Sequence, residues 1–309
     1  MLVASGISLA FLNSIINALC DPLRKYLTNY LNPFAIVAKR GMIQAPVFCL
    51  WALYDCDFIL PRLNNVFWTS VCISGLINVA TSYLYNRSIQ ISTISATVPY
   101  LSFTPGFLVI LAFLVLGEIP SSVGVIGILF AAMGGMWLQG GCKAESTLAD
   151  KKIDESKGAT YMTLVAFLWS VTNVFDKIGV QHSTPVVYGA AIQVVVTTLS
   201  FILSRLLPTE SFDHAIYAPL GEKKPKTPWG MVILAGLTSV ISYYVNLLAT
   251  QQLEVSYVIA IKRSGCIWSA LLGKYLFHEP NFCRKMPSIS LMFVGVVCII
   301  LSNNMPPAT

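Results

Sequence analysis

The 309-residue sequence has little charge: 11% of its residues are Asp, Glu, Lys or Arg, whereas 55% are apolar. A typical globular domain carries about 25% charged residues. The mean hydropathy of +0.69 leaves too little polar surface to cover a water-soluble fold of this size. The composition therefore argues against a soluble enzyme, a nucleic-acid-binding protein and a disordered chain.

Motifs for metal, disulfide or catalytic chemistry are lacking as well. The eight cysteines are scattered, without a Cys-x-x-Cys pair or a Cys/His cluster, which argues against a zinc site and a disulfide framework. No glycine-rich phosphate loop is found, and none of the three histidines has a catalytic or metal-ligand partner at suitable spacing. We therefore expect no enzyme activity, no cofactor and no metal. The first residues lack the basic region of a signal peptide, so the first apolar stretch is expected to be retained.

Long apolar runs, by contrast, fill most of the chain. A membrane-spanning helix needs about 20 mostly apolar residues, and ten such segments are separated by polar breaks: 3–28, 34–54, 66–86, 94–116, 121–140, 158–180, 185–206, 229–250, 255–277 and 287–303. Pro99 and Pro105 interrupt the fourth segment. The sequence thus predicts an all-α, multi-pass integral membrane protein with ten transmembrane helices, whose surroundings are the lipid bilayer.

The two halves of the chain resemble each other. Residues 141–157 form a charged linker between a first half, 1–140, and a second half, 158–309, each with five segments. Four markers recur at shifts of 152 or 161 positions: Lys25 and Lys177, Pro33 and Pro185, Ser95 and Ser256, Glu118 and Glu279. Because five is odd, the second half would enter the membrane in the opposite orientation. Inverted repeats of this kind place a binding site at their interface and support alternating access.

The second half carries the clearest family resemblance. The residues concerned are Val258 to Ser264, Leu272-Gly273, Phe277-His278-Glu279-Pro280 and Gly295-Val296. They resemble the EamA-type domain of the drug/metabolite transporter superfamily, and the five-helix repeat extends that resemblance over nearly the whole chain. The resemblance implies two EamA repeats and a transport function. It does not imply a substrate, because members move amino acids, nucleotide sugars, sugar phosphates and drugs.

Lys262 and Arg263 are the strongest candidates for substrate binding. A charge at mid-membrane costs about 2.5–3.5 kcal/mol on insertion scales, so such residues usually face a cavity. The matching positions of the first half are Leu101 and Ser102, so the fold does not itself require a basic pair there. The alternative is that both side chains snorkel to the interface or pair with acids. The pair also resembles the phosphate-contacting Lys-Arg of plastidic sugar-phosphate translocators.

Lys39 and Arg40 form a second basic pair inside an apolar segment, and it too is absent from the other half. They lie nearer a helix end, so substrate binding and interfacial anchoring are equally good interpretations. Other polar residues within the segments are further candidates. We predict substrate contacts for Asn17, Asn173, Tyr100 and Tyr257, and a gate or an ion pair for Asp176 and Lys177. For the two asparagines the alternative is a hydrogen bond that bridges helices, and for the two tyrosines it is packing. Glu118 and Glu279 are expected to be structural.

These residues favour a secondary transporter that moves a small organic metabolite by alternating access. An Arg fork beside a Lys suits phosphate or carboxylate recognition, so an anionic solute is preferred. The alternative is an exporter or importer of amino-acid-like or nucleoside-like solutes such as S-adenosylmethionine. A non-transporting membrane scaffold is a third hypothesis. The chain is expected to be a monomer or homodimer, in the cell inner membrane if the source is bacterial.

The distribution of basic residues and the family resemblance predict opposite orientations in the membrane. Basic residues concentrate in the loops after odd-numbered segments, which under the positive-inside rule places both termini outside the cytoplasm. The family resemblance implies cytoplasmic termini.

Overall fold

A computed structural model describes residues 2–28, 30–58, 62–92, 98–118, 120–140, 155–206, 227–265, 268 and 282–303. Within these ranges the regular secondary structure is entirely helical, which confirms the all-α prediction. Residues 141–154, most of the predicted linker, lie outside the described ranges, and so do Glu279 and much of the predicted ninth segment.

The helices of the first half follow the apolar segments closely. They are α1 (Leu2–Leu27), α2 (Pro33–Asp55), α3 (Asn65–Ile91), a 3₁₀ helix (Val98–Phe103), α4 (Thr104–Leu116) and α5 (Ser122–Gly140). Asn32 and Asn64 cap α2 and α3, each accepting a hydrogen bond from a backbone N–H of the first turn. The fourth segment is divided, because Pro105 has no N–H to donate and therefore suits the first turn of a new helix.

The second half repeats this order. Its helices are α6 (Glu155–Gln181), α7 (Pro185–Leu206), α8 (Trp229–Gln252), α9 (Val255–Arg263) and α10 (Phe282–Asn303). Pro185 opens α7 as Pro33 opens α2, so the proline shared by the two halves has the same role in each.

Six of the described helices are long and apolar enough to cross a membrane: α1, α2, α3, α6, α7 and α8. Shorter apolar helices cover 100–116, 122–137 and 287–301. Many of their large side chains face outward: Leu50, Trp68, Leu76, Leu114 and Trp137 are each more than half exposed. An outward apolar surface suits lipid contact, so the protein is an integral, multi-pass membrane protein. The ten-span inverted topology stays a prediction.

Packing between the halves is symmetric under their exchange. Helix α1 packs on α8 as α6 packs on α3, and α1 contacts α9 as α6 contacts α4. Helix α2 packs on its counterpart α7, and α5 packs on α10. The core is therefore shared between the two halves, and the space enclosed by α1, α2, α3 and their counterparts lies at the interface of the repeats.

Helices α5 and α10 approach each other closely through glycine. A Cβ atom added at Gly127 would lie 2.6 Å from the carbonyl oxygen of Gly295, and one added at Gly295 would lie 2.6 Å from the backbone nitrogen of Ala131. Small residues permit such backbone approach in membrane bundles, where close packing drives helix association. This seam joins the last helix of one half to the last helix of the other.

Candidate functional site

A polar cavity of about 250 Å³ lies between the two halves. It is lined by residues of α1, α2, α3 and the 3₁₀ helix from the first half, and of α6, α7, α8 and α9 from the second. Six of the predicted site residues line it: Asn17, Arg40, Asn173, Asp176, Lys262 and Arg263. The structure therefore brings together residues that are up to 246 positions apart in the sequence.

The lining repeats across the two halves. At a shift of 152 positions, the lining pairs are Asn17 with Trp169, Arg24 with Asp176, Arg40 with Ile192, and Gln44 with Val196. At a shift of 161, they are Asn78 with Ser239, Ser82 with Tyr243, Tyr85 with Asn246, Leu101 with Lys262, and Ser102 with Arg263. Equivalent positions of the two halves thus line the same cavity with different side chains. The helix arrangement is repeated, but the site itself is asymmetric.

The charge of the described lining is strongly positive. Arg24, Arg40, Lys262 and Arg263 are its basic residues, and Asp176 is its only acidic residue. Charges inside an apolar bundle interact more strongly than they would in water because the local dielectric constant is low. An anion entering this cavity would therefore meet a net attraction.

A chain of hydrogen-bonded amides holds Lys262. Its Nζ donates to Oδ1 of Asn246 over 3.3 Å, and the same oxygen accepts a 2.9 Å hydrogen bond from Nδ2 of Asn13. Oδ1 of Asn13 in turn accepts from Nδ2 of Asn17 and from the hydroxyl of Ser242. The amides link α1 to α8 and leave Lys262 positioned at the cavity by a neutral partner.

Two arginines lie against aromatic rings. The guanidinium of Arg263 is 5.5 Å from the ring centroid of Trp169 and donates a 3.0 Å hydrogen bond to the Thr104 hydroxyl. The guanidinium of Arg24 is 5.5 Å from the ring centroid of Tyr85. Cation–π contact orients a guanidinium, so the aromatic rings help to hold both arginines at the cavity wall.

The adjacent residues Lys39 and Arg40 point to different places. Arg40 lines the cavity, and its Nη2 donates to the hydroxyl of Ser239 over 2.6 Å. Lys39 is not among the lining residues. Its Nζ donates to the hydroxyl of Thr227 over 2.7 Å and lies 5.1 Å from the ring centroid of Trp229. Consecutive residues on a helix point about 100° apart. Arg40 therefore faces the cavity, while the position of Lys39 suits the interfacial-anchor interpretation.

Asp176 lies deep in the cavity wall, with 5% of its surface exposed. Its Oδ1 accepts hydrogen bonds from the hydroxyls of Ser74 and Tyr188. Nδ2 of Asn78 donates to the same Ser74 hydroxyl over 3.1 Å. These partners are neutral, so among the described residues the carboxylate is solvated by hydroxyl groups and forms no direct ion pair.

Lys177, the next residue, turns away from the cavity and forms an ion pair with Glu118. Its Nζ also donates to the carbonyl oxygen of Leu253 over 3.0 Å, while the other Glu118 oxygen accepts from the backbone N–H of Val255 over 3.1 Å. Asp176 and Lys177 therefore have different partners instead of pairing locally. Consecutive residues on a helix do not face each other.

Glu254 lies in the turn between α8 and α9, beside this ion pair. Burial raises the pKa of its carboxyl, the negative charge of Glu118 raises it further, and Lys177 opposes the shift. Its Oε2 is buried and has no hydrogen-bond partner among the described residues.

Tyr257 and Tyr100, predicted to contact substrate, are outside the cavity lining. Tyr257 is 3% exposed, and its hydroxyl accepts a hydrogen bond from the backbone N–H of Ser121. It precedes Lys262 by five residues, which turns the two side chains about 140° apart on a helix. Tyr100 packs beside Leu101 in an apolar cluster, so both tyrosines have packing roles in this structure.

Several lining residues were missed by the sequence reasoning, although a signal was present. Polar residues recur at spacings of three or four within the apolar segments, which puts them on one helix face. Such stripes are Arg40 and Gln44 on α2; Asn78, Ser82, Tyr85 and Asn86 on α3; and Ser239, Ser242, Tyr243 and Asn246 on α8. Reading polar periodicity alongside charge would have found them.

A lipid-facing bundle of two matched halves around a polar cavity is the architecture of a membrane carrier. The model of the EamA-like transporter family matches residues 4–138 and 156–301. The chain belongs to the EamA-like transporter family. A solved crystal structure aligns with a TM-score of 0.71 at 18% identity, over 97% of this chain and 98% of that chain, and this likeness shows the fold alone. No curated protein matches the chain.

Proposed function

We propose that this EamA-like transporter carries a small organic solute with a phosphate or carboxylate group, and that the solute binds in the cavity between the halves. The observation that supports this most directly is the charge of the described lining, with four basic side chains and one carboxylate. A buried excess of positive charge is costly in a membrane, and an anionic ligand offsets that cost.

The basic residues suit recognition of an anionic group from several directions. Lys262 and Arg263 follow each other at the end of α9, and Arg40 approaches from α2. A guanidinium fork matches the oxygens of phosphate or carboxylate, and a lysine adds a point charge. The neutral remainder of the solute would meet amides, among them Asn86, whose Oδ1 accepts no hydrogen bond from the described residues.

The transport cycle we propose is alternating access driven by exchange or by an ion gradient. The two halves meet at the cavity and pack symmetrically, as a site at a repeat interface requires. The Glu118–Lys177 ion pair joins a residue of the first half to one of the second. Such a contact is suited to form in one state of the cycle and to break in another.

A second candidate is an amino-acid-like or nucleoside-like solute, S-adenosylmethionine included. It is favoured by Asp176, which offers an ammonium group a carboxylate inside the cavity, and by the aromatic rings of Tyr85 and Trp169 in the lining. In that case the arginines stacked on these rings would hold the solute's carboxylate, and Asp176 its amino group.

A thermal-shift screen of the purified protein separates these candidates. The panel contains sugar phosphates, nucleotide sugars, amino acids and S-adenosylmethionine, and every compound is repeated on Lys262→Ala. A ligand that binds the native state raises the melting temperature according to its excess over Kd. A phosphorylated hit that is lost in Lys262→Ala supports an anionic substrate. A hit with an amino acid or S-adenosylmethionine that survives the substitution overturns it in favour of the second candidate.

A further inference from the structure

Asp176 is a buried carboxyl group without a direct salt bridge among the described residues. The hydrogen bonds it accepts come from hydroxyl groups, those of Ser74 and Tyr188. The negative charge is therefore stabilised by neutral donors. Protonating such a carboxylate costs less than protonating one in an ion pair. The same group lines the cavity, so protons can reach it from the side to which the cavity opens.

The charged and titratable groups around Asp176 come from several helices. Tyr188 of α7 and Tyr243 of α8 face the carboxyl group, and Lys262 of α9 is close enough for its charge to attract the carboxylate. On its own helix, Lys177 is engaged by Glu118. The remaining charged or titratable groups on the cavity wall are Arg24, Tyr85, Arg40 and Arg263.

An anionic solute and the Asp176 carboxylate would compete for one positive charge. Lys262 and Asp176 line the same cavity, where opposite charges attract strongly because the local dielectric constant is low; the proposed function assigns the same ammonium group to the solute. An anion bound at Lys262 adds a like charge close to Asp176 and draws the ammonium away from it. Both effects favour the neutral form of a carboxyl group. By linkage, a proton on Asp176 must then strengthen anion binding by the same factor.

A proton suits this position better than a metal cation. A hard cation such as Mg²⁺ or Ca²⁺ takes six or more oxygen ligands, whereas the hydroxyls of Ser74 and Tyr188 already donate to Asp176, and Nδ2 of Asn78 donates to the Ser74 hydroxyl. The four basic residues of the lining also repel a metal ion. A proton needs no coordination shell and removes the charge at the carboxyl group.

We propose that Asp176 is the proton-binding residue that couples this carrier to a proton gradient, so that a proton and the anionic solute bind together and cross in the same direction. The inference rests on the proposed function. In each cycle, one carboxylate oxygen takes a proton from water on the side where the solute enters and returns it to water on the side where the solute leaves. No covalent bond to the solute forms or breaks.

Infrared spectroscopy of the full-length protein in liposomes tests the proposal. The spectrum is recorded from mildly alkaline to mildly acidic pH, without and with sulfate, a probe anion that takes up no proton in this range. The C=O band of a protonated carboxylic acid should grow as pH falls, and its midpoint should move to higher pH with sulfate. All spectra are recorded in a Glu254→Gln background, which removes a second buried carboxyl group, one whose pKa is raised by burial. In that background Asp176→Asn should lack this band. Asp55→Asn, which removes an exposed carboxylate at the end of α2, should keep the band. If the Asn variant does not fold, Asp176→Glu keeps the inference testable.

The possible results are distinguishable. A band that persists in Asp176→Asn overturns the assignment of the proton to this residue. A band that is lost in that variant, but whose midpoint ignores sulfate although sulfate raises the melting temperature, overturns the coupling and leaves the proposed function standing. If sulfate changes neither the band nor the melting temperature, the proposed function fails together with this inference. A midpoint that shifts with Na⁺ instead of with sulfate identifies Na⁺ as the coupling ion and overturns the proposal that the carrier is coupled to protons.

Discussion

Lys177 of the second half forms an ion pair with Glu118 of the first half, at the point where α9 begins. The other Glu118 oxygen accepts a hydrogen bond from the N–H of Val255, the first residue of α9. The same helix ends with Lys262 and Arg263. The ion pair thus fixes the start of the helix whose end supplies two of the four basic residues of the cavity.

Replacing one partner of this ion pair should destabilise the protein strongly. Both side chains are nearly buried, with relative exposures of 10% and 13%, and removing one partner from a buried pair costs about 3–5 kcal/mol because the other charge is left unpaired. We expect Lys177→Met to lower the free energy of unfolding by about 3 kcal/mol, measured by denaturant unfolding in detergent micelles. The double variant Lys177→Met/Glu118→Gln should recover part of this loss. A double variant as unstable as the sum of the two single variants would contradict a direct pair.

Glu254→Gln should stabilise the protein at neutral pH and have little effect in acid. Burial and then Glu118 raise the pKa of Glu254 in the folded protein. The folded state therefore binds the proton more tightly than the unfolded state, and the stability of the wild type falls as pH rises from the unfolded pKa through the folded one. Glutamine removes that loss. Melting temperatures across this pH range check the prediction, and a constant difference at every pH would contradict it.

The glycine seam between α5 and α10 should not tolerate a side chain. An added Cβ at Gly127 would meet the backbone of Gly295 at 2.6 Å, so the helices must separate, and overpacking of this kind costs about 1–3 kcal/mol. Gly106→Ala is the matched control, because a Cβ atom there meets nothing within 4 Å. We expect Gly127→Ala to lower the melting temperature and Gly106→Ala to leave it unchanged or raise it. Equal effects would contradict the close approach of the two helices.

Asn246 should act on transport by positioning Lys262. Its Oδ1 accepts hydrogen bonds from both Lys262 and Asn13, so Asn246→Ala removes the acceptor that holds the ammonium group. We expect an increase in KM for an anionic solute of about tenfold, since a hydrogen bond to a charged group contributes about 1.5–3 kcal/mol. Asn246→Gln, which restores a neutral acceptor, should recover part of the affinity. A fall in kcat alone, with KM unchanged, would contradict this role.

The helices could be predicted from sequence because a membrane span has one dominant signal, the length of an apolar run. The predicted segment 3–28 agrees with α1 at Leu2–Leu27, and 185–206 agrees with α7. The division of the fourth segment, with a new helix from Thr104, was signalled by Pro99 and Pro105. Which helices pack together could not be predicted from hydropathy, because lipid-facing and protein-facing apolar residues look alike in a bilayer.

The cavity was predictable in part. Lys262 and Arg263 stood out because charge is rare in apolar segments, and the repeat offered Leu101 and Ser102 as an internal comparison. Tyr257 lies outside the cavity lining, because its distance from Lys262 in sequence does not fix the side of the helix; its contact with substrate stays a prediction. The difference between Lys39 and Arg40 depends on which helix packs on each face of α2, information that a single sequence does not contain.

Lys39 and Arg40 also provide the most direct test of an anionic site in the cavity. Uptake of the labelled phosphorylated solute that gives the largest thermal shift is measured in proteoliposomes for Arg40→Gln and Lys39→Gln. Both variants lose one positive charge from adjacent positions of α2, but only Arg40 lines the cavity. We expect Arg40→Gln to weaken the apparent affinity by about 10- to 100-fold, through the loss of one charged contact, and Lys39→Gln to stay near the wild type. Equal uptake by the two variants would contradict this expectation.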